Sequence, residues 1–305
     1  MPGGRGTIST GAYRGKAVTG VLRRSLGRGA RLVLRRVGRM TGEGRIVTTG
    51  DGRKFRLDLS DPDLDLRLLL LGSYEPWETR ILRQVLRPGD MAADVGANFG
   101  WYTTLFASIV GSAGSVHSFE PNPAAYRQLE ENVKLNPGCA AVFLNECAVG
   151  ASCGSAAVHV FDGLSPARAS LNTLGREDYT RHECGLVSLD SYFGTDGSVR
   201  PPNLVKCDVE GSEMAVLQGS TKLLSSGAPP IWLLEINEES AAAFGYCPAD
   251  LLSLVREAAA YSFYRVGPGL TELGRVQDCV HGDNILCVPD PYMDRVLHLK
   301  PRTAA

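Results

Sequence analysis

Asp94-Val95-Gly96-Ala97-Asn98-Phe99-Gly100 leads from an apolar, strand-like run into a glycine turn and then into a helical pattern. Gly96 and Gly100 permit tight backbone geometry and close approach of a small ligand, and the helix after Gly100 would aim unpaired N–H groups at it. As a dinucleotide fingerprint the turn is imperfect. Asn98 stands where a second glycine would let a pyrophosphate touch the backbone. Asp94 sets a carboxylate at the strand end, where it would meet a ligand ammonium group; a nicotinamide dinucleotide presents none at that point and S-adenosylmethionine does. The following strand ends Ser118-Phe119-Glu120-Pro121-Asn122, so a second acid stands at the next strand end. A carboxylate there can accept hydrogen bonds from both hydroxyls of a ribose, which suits any adenosine ligand.

A second group of residues has the makings of proton chemistry. Lys206 and Asp208 are two apart on one strand and project to one side, Glu210 occupies the turn that follows, and Glu235 ends the strand Ile231-Trp232-Leu233-Leu234-Glu235. Paired acids raise one pKa and create a base. Methyl transfer from a sulfonium is an in-line displacement in which positioning supplies most of the rate and a base adds about 10²- to 10⁴-fold. Lys206, Asp208, Glu210 and Glu235 are the catalytic candidates on this reading. The bland alternative is an ion pair with Lys206 or a cap for the helix at Ser212. An acid cluster also suits a divalent metal that draws a hydroxyl toward its alkoxide, although the favoured reading takes no metal. Residues 162–182, rich in Ser, Arg, Asn, Gly and Asp, read as a substrate-side lid between the third and fourth core strands, offering Ser170, Asn172 and Arg176 as polar contacts. His281, followed by Gly282-Asp283-Asn284, lies at the mouth of a late strand and joins the substrate candidates. His117 reads as core; His159, His182 and His298 read as loop or surface.

The elements that must hold these residues alternate. Strand patterns near 91–96, 115–120, 141–148, 203–208 and 230–236 are mostly separated by helical patterns near 100–110, 123–136 and 212–225, which argues for a doubly wound parallel sheet. A helix near 248–260 and strands near 261–266 and 284–289 would complete it, with an antiparallel terminal hairpin. Upstream, residues 45–59 read as a β-hairpin turning at Asp51-Gly52. Two helices follow, over 63–71 and from Pro76 to Leu86. The expected division is a basic tail at 1–40, the hairpin and helices at 41–90, the ligand-binding domain at 91–290 and a tail at 291–305.

Composition bounds these readings. With 44% hydrophobic and 21% charged residues, the 305-residue chain can bury a sizeable core. Its apolar runs fall far short of a membrane span. Eight cysteines without a C-x-x-C pair read as reduced thiols in a cytoplasmic compartment. The net charge of −1 is unevenly divided: residues 1–40 hold nine Arg and Lys16 with no acid, which leaves −11 on the remainder. Val18, Leu22, Leu26, Ala30, Val33, Val37 and Met40 fall on one helical arc, with Arg24, Arg28, Arg31, Arg35 and Arg39 opposite. That basic amphipathic pattern, over residues 18–40, suits weak contact with an anionic membrane surface or an organelle address, and a loose tail is the plain alternative. The acidic body and the absence of a recognisable motif argue against nucleic acid.

Taken together, Gly72-Ser73-Tyr74-Glu75-Pro76, the Asp94–Gly100 turn, Phe119-Glu120-Pro121-Asn122-Pro123, Leu204 to Glu213 and Asn284 to Pro289 resemble the FkbM-type S-adenosylmethionine-dependent methyltransferases over residues 72–290. The resemblance implies a class I methyltransferase Rossmann-like fold, mostly parallel with one reversed strand. It also implies O-methylation of a hydroxyl on a sugar, polyketide or similar metabolite. It places Asp94, Gly96, Asn98 and Gly100 around the methionine part of the cofactor, Glu120 at the ribose, Asn122 beside the adenosine and Ala148 beside the adenine, with Glu75 also on the cofactor side. Two other readings stand beside it: a nucleotide (NAD or NADP)-dependent oxidoreductase using the same turn, and a non-catalytic membrane-surface scaffold with a relic pocket.

Overall fold

The computed structural model describes residues 45–57, 68, 73–138, 140–161, 169–194, 199–279 and 282–300. The expectations for residues 1–40, for the helix over 63–71 apart from Leu68, and for His281 lie outside the described residues.

Strands β1 (Arg45–Thr48) and β2 (Lys54–Leu57) pair antiparallel about the Asp51-Gly52 turn. Helix α1 (Pro76–Val85) opens on its first-turn proline and buries Ile81, Leu82 and Val85. The alternation then proceeds through β3 (Met91–Val95), α2 (Trp101–Val110), β4 (Ser115–Phe119), α3 (Pro123–Leu135) and β5 (Ala141–Asn145). Next come β6 (Cys147–Val149), β7 (Gly154–Phe161), β8 (Ala169–Ser170), β9 (Tyr179–Val187) and the short helix α4 (Leu189–Tyr192). The remaining elements are β10 (Leu204–Cys207), α5 (Glu213–Gln218), α6 (Thr221–Leu224), β11 (Ile231–Glu235), α7 (Glu238–Ala243), α8 (Pro248–Ala258), β12 (Tyr261–Val266), β13 (Leu270–Glu272) and β14 (Asn284–Pro289).

The main sheet has eight strands in the order β13-β12-β14-β11-β10-β3-β4-β5. Strands β5, β4, β3, β10 and β11 run parallel, and β14 runs antiparallel between β11 and β12. This is the class I methyltransferase arrangement, α/β with a reversed strand inserted near one edge. The edge strand β13 is reversed as well. From β3 the chain moves out through β4 to β5 and later returns to β10 on the other side, so the strand order switches between β3 and β10. Crevices at such a switch, outside the carboxyl ends of the strands, are where ligands bind.

Alternate residues of the central strands face two apolar layers. Ala92, Val116, Leu204 and Leu233 pack with α1 and α2 on one face. Ala93, Val95, Val205, Cys207, Trp232 and Leu234 pack with α5, α6 and α8 on the other.

Several expectations are corrected. The strand expected over 141–148 breaks at Glu146 into β5, which joins the main sheet, and β6, which joins a second sheet of order β6-β9-β7-β8. Part of the expected 162–182 lid is accordingly strand, since β8 and the start of β9 pair with β7. The helix expected over 212–225 is two short helices, because the Ser220 hydroxyl donates back to the Val216 carbonyl and the chain bends at Gly219. His159, expected in a loop or at the surface, is half-buried in β7 with its ring edge-on to Tyr179. The stretch expected to be a C-terminal tail packs down as far as Lys300, and Arg295 forms a buried ion pair with Asp90. Among the described residues no helix is long and apolar enough to cross a membrane.

Candidate active site at the carboxyl edge of the sheet

Four strands deliver acids to one edge. Asp94 is in β3, Glu120 follows β4, Asp208 follows β10, and Glu235 ends β11. Parallel pairing sets Asp94 directly opposite Lys206, so both side chains leave the sheet on the face covered by α2. Lys206 Nζ lies 2.8 Å from Asp208 Oδ2 and 5.0 Å from the centre of the Tyr102 ring. The Tyr102 hydroxyl donates to Glu75 Oε2. Asp94 Oδ2 accepts from the Thr103 hydroxyl at 2.6 Å, and that hydroxyl is 2.8 Å from Ser118 Oγ. Asp94 is fully buried, and its other oxygen, Oδ1, has no hydrogen-bond partner.

The charges are unequal to the number of acids. Burial alone would lower the Lys206 pKa, but Asp208, Asp94 and Glu75 outweigh it and hold the ammonium charged. Burial would raise Asp208, yet the Lys206 charge and hydrogen bonds from Glu235 and Lys206 keep it below the usual carboxylate range. Glu235 goes the other way. The Asp208 charge, burial and its own hydrogen bond to Asp208 push it well above that range, so it carries the proton the two acids share. Burial lifts Glu75 to about 7, and it raises Asp94 as well. The arrangement is one fixed ammonium, one carboxylate reachable from the crevice, and one protonated partner holding that carboxylate.

Two further acids organise the backbone. Glu120 accepts from the Asn98 N–H at 2.7 Å and the Asn122 N–H at 2.9 Å, joining the glycine turn to its own strand end, and burial lifts it to about 7. Glu213 does the same for the turn after β10, accepting from the Val209 and Gly211 N–H groups and the Tyr246 hydroxyl. Asn122 uses its side-chain oxygen to cap α3 at the Ala124 N–H. Four non-glycine residues among those described have left-handed backbone: Glu75, Asn98, Leu174 and Glu210. Three of them are candidates from the sequence, so the strain is concentrated where the ligand-facing loops converge.

The glycine turn works differently from expectation. A Cβ on Gly96, where φ is +79°, would sit 1.9 Å from the Asp208 carbonyl oxygen; one on Gly100 would meet Leu129 at 2.7 Å. The close approach made by Gly96 is to the neighbouring strand-end turn, which locks Asp94 and Asp208 into one frame.

Of the substrate-side candidates, Ser170 donates to the Glu210 carbonyl at 2.9 Å and Asn172 to the Ala243 carbonyl at 3.2 Å. The second sheet is thereby tied over the turn after β10. Arg176 stacks on Phe161 and pairs with Asp178. Ala148 is buried in β6. Tyr102, Thr103 and Tyr246 escaped the sequence reading. Tyr102 and Thr103 were legible in principle, because the first turn of a helix that starts at a ligand turn returns to the strand ends. Among the described residues no group of three His, Cys, Asp or Glu converges as metal ligands.

The family model for the Methyltransferase FkbM domain matches residues 94–263, more than half of the chain and every one of the strand-end acids. The chain belongs to the FkbM methyltransferase family. This S-adenosylmethionine-dependent methyltransferase is 29% identical over 207 residues to the hexuronic acid methyltransferase AglP of Haloferax volcanii, across 67% of this chain and 74% of that protein. It is 31% identical over 161 residues to the 31-O-demethyl-FK506 methyltransferase FkbM of Streptomyces tacrolimicus, across 44% of this chain and 60% of that one. Among solved structures, a putative rRNA methylase from Clostridium thermocellum aligns at 12% identity with a TM-score of 0.41, across 70% of the methyltransferase and 93% of that chain. Assignment of the fold rests on the strand order and the family match.

Proposed function

We propose that the methyltransferase transfers the methyl group of S-adenosylmethionine to a hydroxyl on a sugar, polyketide or similar small metabolite. The observation that carries the cofactor reading is Asp94 Oδ1, a fully buried carboxylate oxygen without a partner at the end of a core strand. Leaving a buried polar atom without a hydrogen bond is costly, and a ligand ammonium would supply the missing donor. The residues therefore fit the cofactor: Asp94 would hold its amino group, Glu120 its ribose hydroxyls through the lone pairs left by two backbone N–H groups, and the turn from Gly96 to Gly100 would pass beneath it. Glu75, Asn122 and Ala148 complete the cofactor side of this reading. A nicotinamide dinucleotide lacks the ammonium.

When bound, S-adenosylmethionine supplies an electrophilic methyl carbon on sulfur. Asp208 is the residue suited to receive the acceptor hydroxyl, because it is ionised and reachable from the crevice. It would orient the oxygen and take its proton as the new bond forms. Lys206 stays an ammonium and positions Asp208. Glu235, protonated, donates to the same carboxylate and fixes its rotamer, while Glu210 shapes the turn beside it. The second sheet, through Ser170 and Asn172, forms one wall of the acceptor side and excludes water from it.

The likeness to proteins named for a hexuronic acid and for 31-O-demethyl-FK506 supports oxygen as the acceptor atom. The test is incubation with methyl-labelled S-adenosylmethionine and a panel of hydroxylated sugars and polyketides. Label recovered as a methyl ether is expected. Label on nitrogen or carbon, or no transfer by protein that binds S-adenosylhomocysteine, would count against the proposal.

A further inference from the structure

Outside the acid cluster, a groove of about 420 Å³ lies between α1 and the turn of the β1–β2 hairpin, lined by Asp51, Ser73, Pro76, Arg80, Arg83 and Trp101 among others. Its near end adjoins the site: Ser73 and Pro76 flank Tyr74-Glu75, and Trp101 follows Gly100 directly. A short run of contacts joins the two: Trp101 Nε1 donates to Thr79 in the groove wall, the Thr79 N–H donates to the Glu75 carbonyl, and the Glu75 carboxylate accepts from Tyr102, whose ring lies against Lys206 beside Asp208.

The groove is basic, although residues 41–305 together carry −11. Its single acid, Asp51, is shared by Arg53 and Arg83. Burial would raise the Asp51 pKa, but the Thr49 hydroxyl and the Arg53 charge and hydrogen bonds hold it down at about 2. Arg53 is itself buried behind the wall, its guanidinium 4.1 Å from the centre of the Trp101 ring and one of its nitrogens, Nη2, without a hydrogen-bond partner. Arg80 is exposed and forms no ion pair among the described residues. Arg80 and Arg83 thus line a cavity that also includes Pro76 and Trp101, with Arg53 behind it and one carboxylate shared by Arg53 and Arg83. An apolar and cationic lining suits a sugar ring that carries an anionic group.

We infer that this groove is an acceptor subsite, in which Arg80 and Arg83 hold the carboxylate or phosphate of an acidic sugar while the hydroxyl to be methylated lies at Asp208. The inference deepens the proposed function and rests on it. It is tested with the full chain saturated with S-adenosylhomocysteine, titrated in turn with glucuronate, glucose 6-phosphate and glucose, in wild type and in Arg80→Gln/Arg83→Gln. Binding of one anionic sugar, weakened about tenfold in the variant, with glucose equally weak in both, is the expected result. Preference for glucuronate would assign the carboxylate as the natural anion, and preference for glucose 6-phosphate the phosphate. Anionic sugars that bind wild type no better than glucose, or equally to both proteins, would overturn the subsite. S-adenosylhomocysteine affinity separates the failures. Unchanged affinity in the variant shows an intact fold and cofactor site, whereas no affinity in wild type would remove the methyltransferase reading itself.

Discussion

Asp208 and Glu235 form a pair whose two members do different work, and isosteric substitutions separate them. Asp208→Asn removes the proposed proton acceptor and is expected to lower kcat by about 10²- to 10⁴-fold with an unchanged affinity for S-adenosylhomocysteine. Glu235→Gln keeps a neutral donor in the same place and should retain most activity, while Glu235→Ala should not; equal losses in the two Glu235 variants would refute its protonated state. Lys206→Met leaves Asp94 and Asp208 buried without their cation and should destabilise the fold by about 3 to 5 kcal/mol, read by denaturant unfolding. Glu75 offers a pH test. Its folded pKa of about 7 lies above the ordinary carboxylate value of 4.5, so the folded state holds the proton more tightly than the unfolded chain. The resulting penalty grows as pH rises from 4.5 to 7 and is complete above 7. Glu75→Gln, which can still accept from Tyr102, should therefore raise Tm relative to wild type more at pH 8 than at pH 5.

At the scale of elements, the two turns after β3 and β10 act as one unit. Gly96→Ala would drive a Cβ into the Asp208 carbonyl at a positive φ, and a loss of about 3 kcal/mol is expected. Gly227→Ala, with open space around it and no positive φ, is the control and should be nearly neutral. The strands that carry the acids were legible in the sequence because each is a short apolar run closed by a polar residue and a turn. Buried on both faces, such strands need no alternation to be recognised. The second sheet was not legible for the opposite reason. In Tyr179–Val187 neither face is fully covered, so polar residues occupy both and the period-2 signal disappears. Tyr102 was passed over although its place in the first turn of α2 could have marked it: eight of the ten residues in that helix are buried, and an aromatic among them reads as core.

For the whole molecule, the order of the strands matters more than any single motif. Asp94 and Glu120 are joined by one α/β unit, yet Asp94 and Lys206 are more than a hundred residues apart and meet only because β10 inserts beside β3. Reading the strand ends as one edge recovered the acids. Their protonation, with Glu235 neutral and Lys206 enclosed, required the packing of α2 against the sheet. On the proposed function, this edge binds S-adenosylmethionine through Asp94. The most direct measurement is calorimetric titration of the full chain with S-adenosylhomocysteine, with Asp94→Ala for comparison and NAD as the control ligand. The structure predicts binding to wild type, loss of at least about tenfold in affinity on removing the buried carboxylate, and no binding of NAD. Wild-type protein that is folded and binds NAD in preference, or that binds S-adenosylhomocysteine equally well without the Asp94 carboxylate, would contradict it.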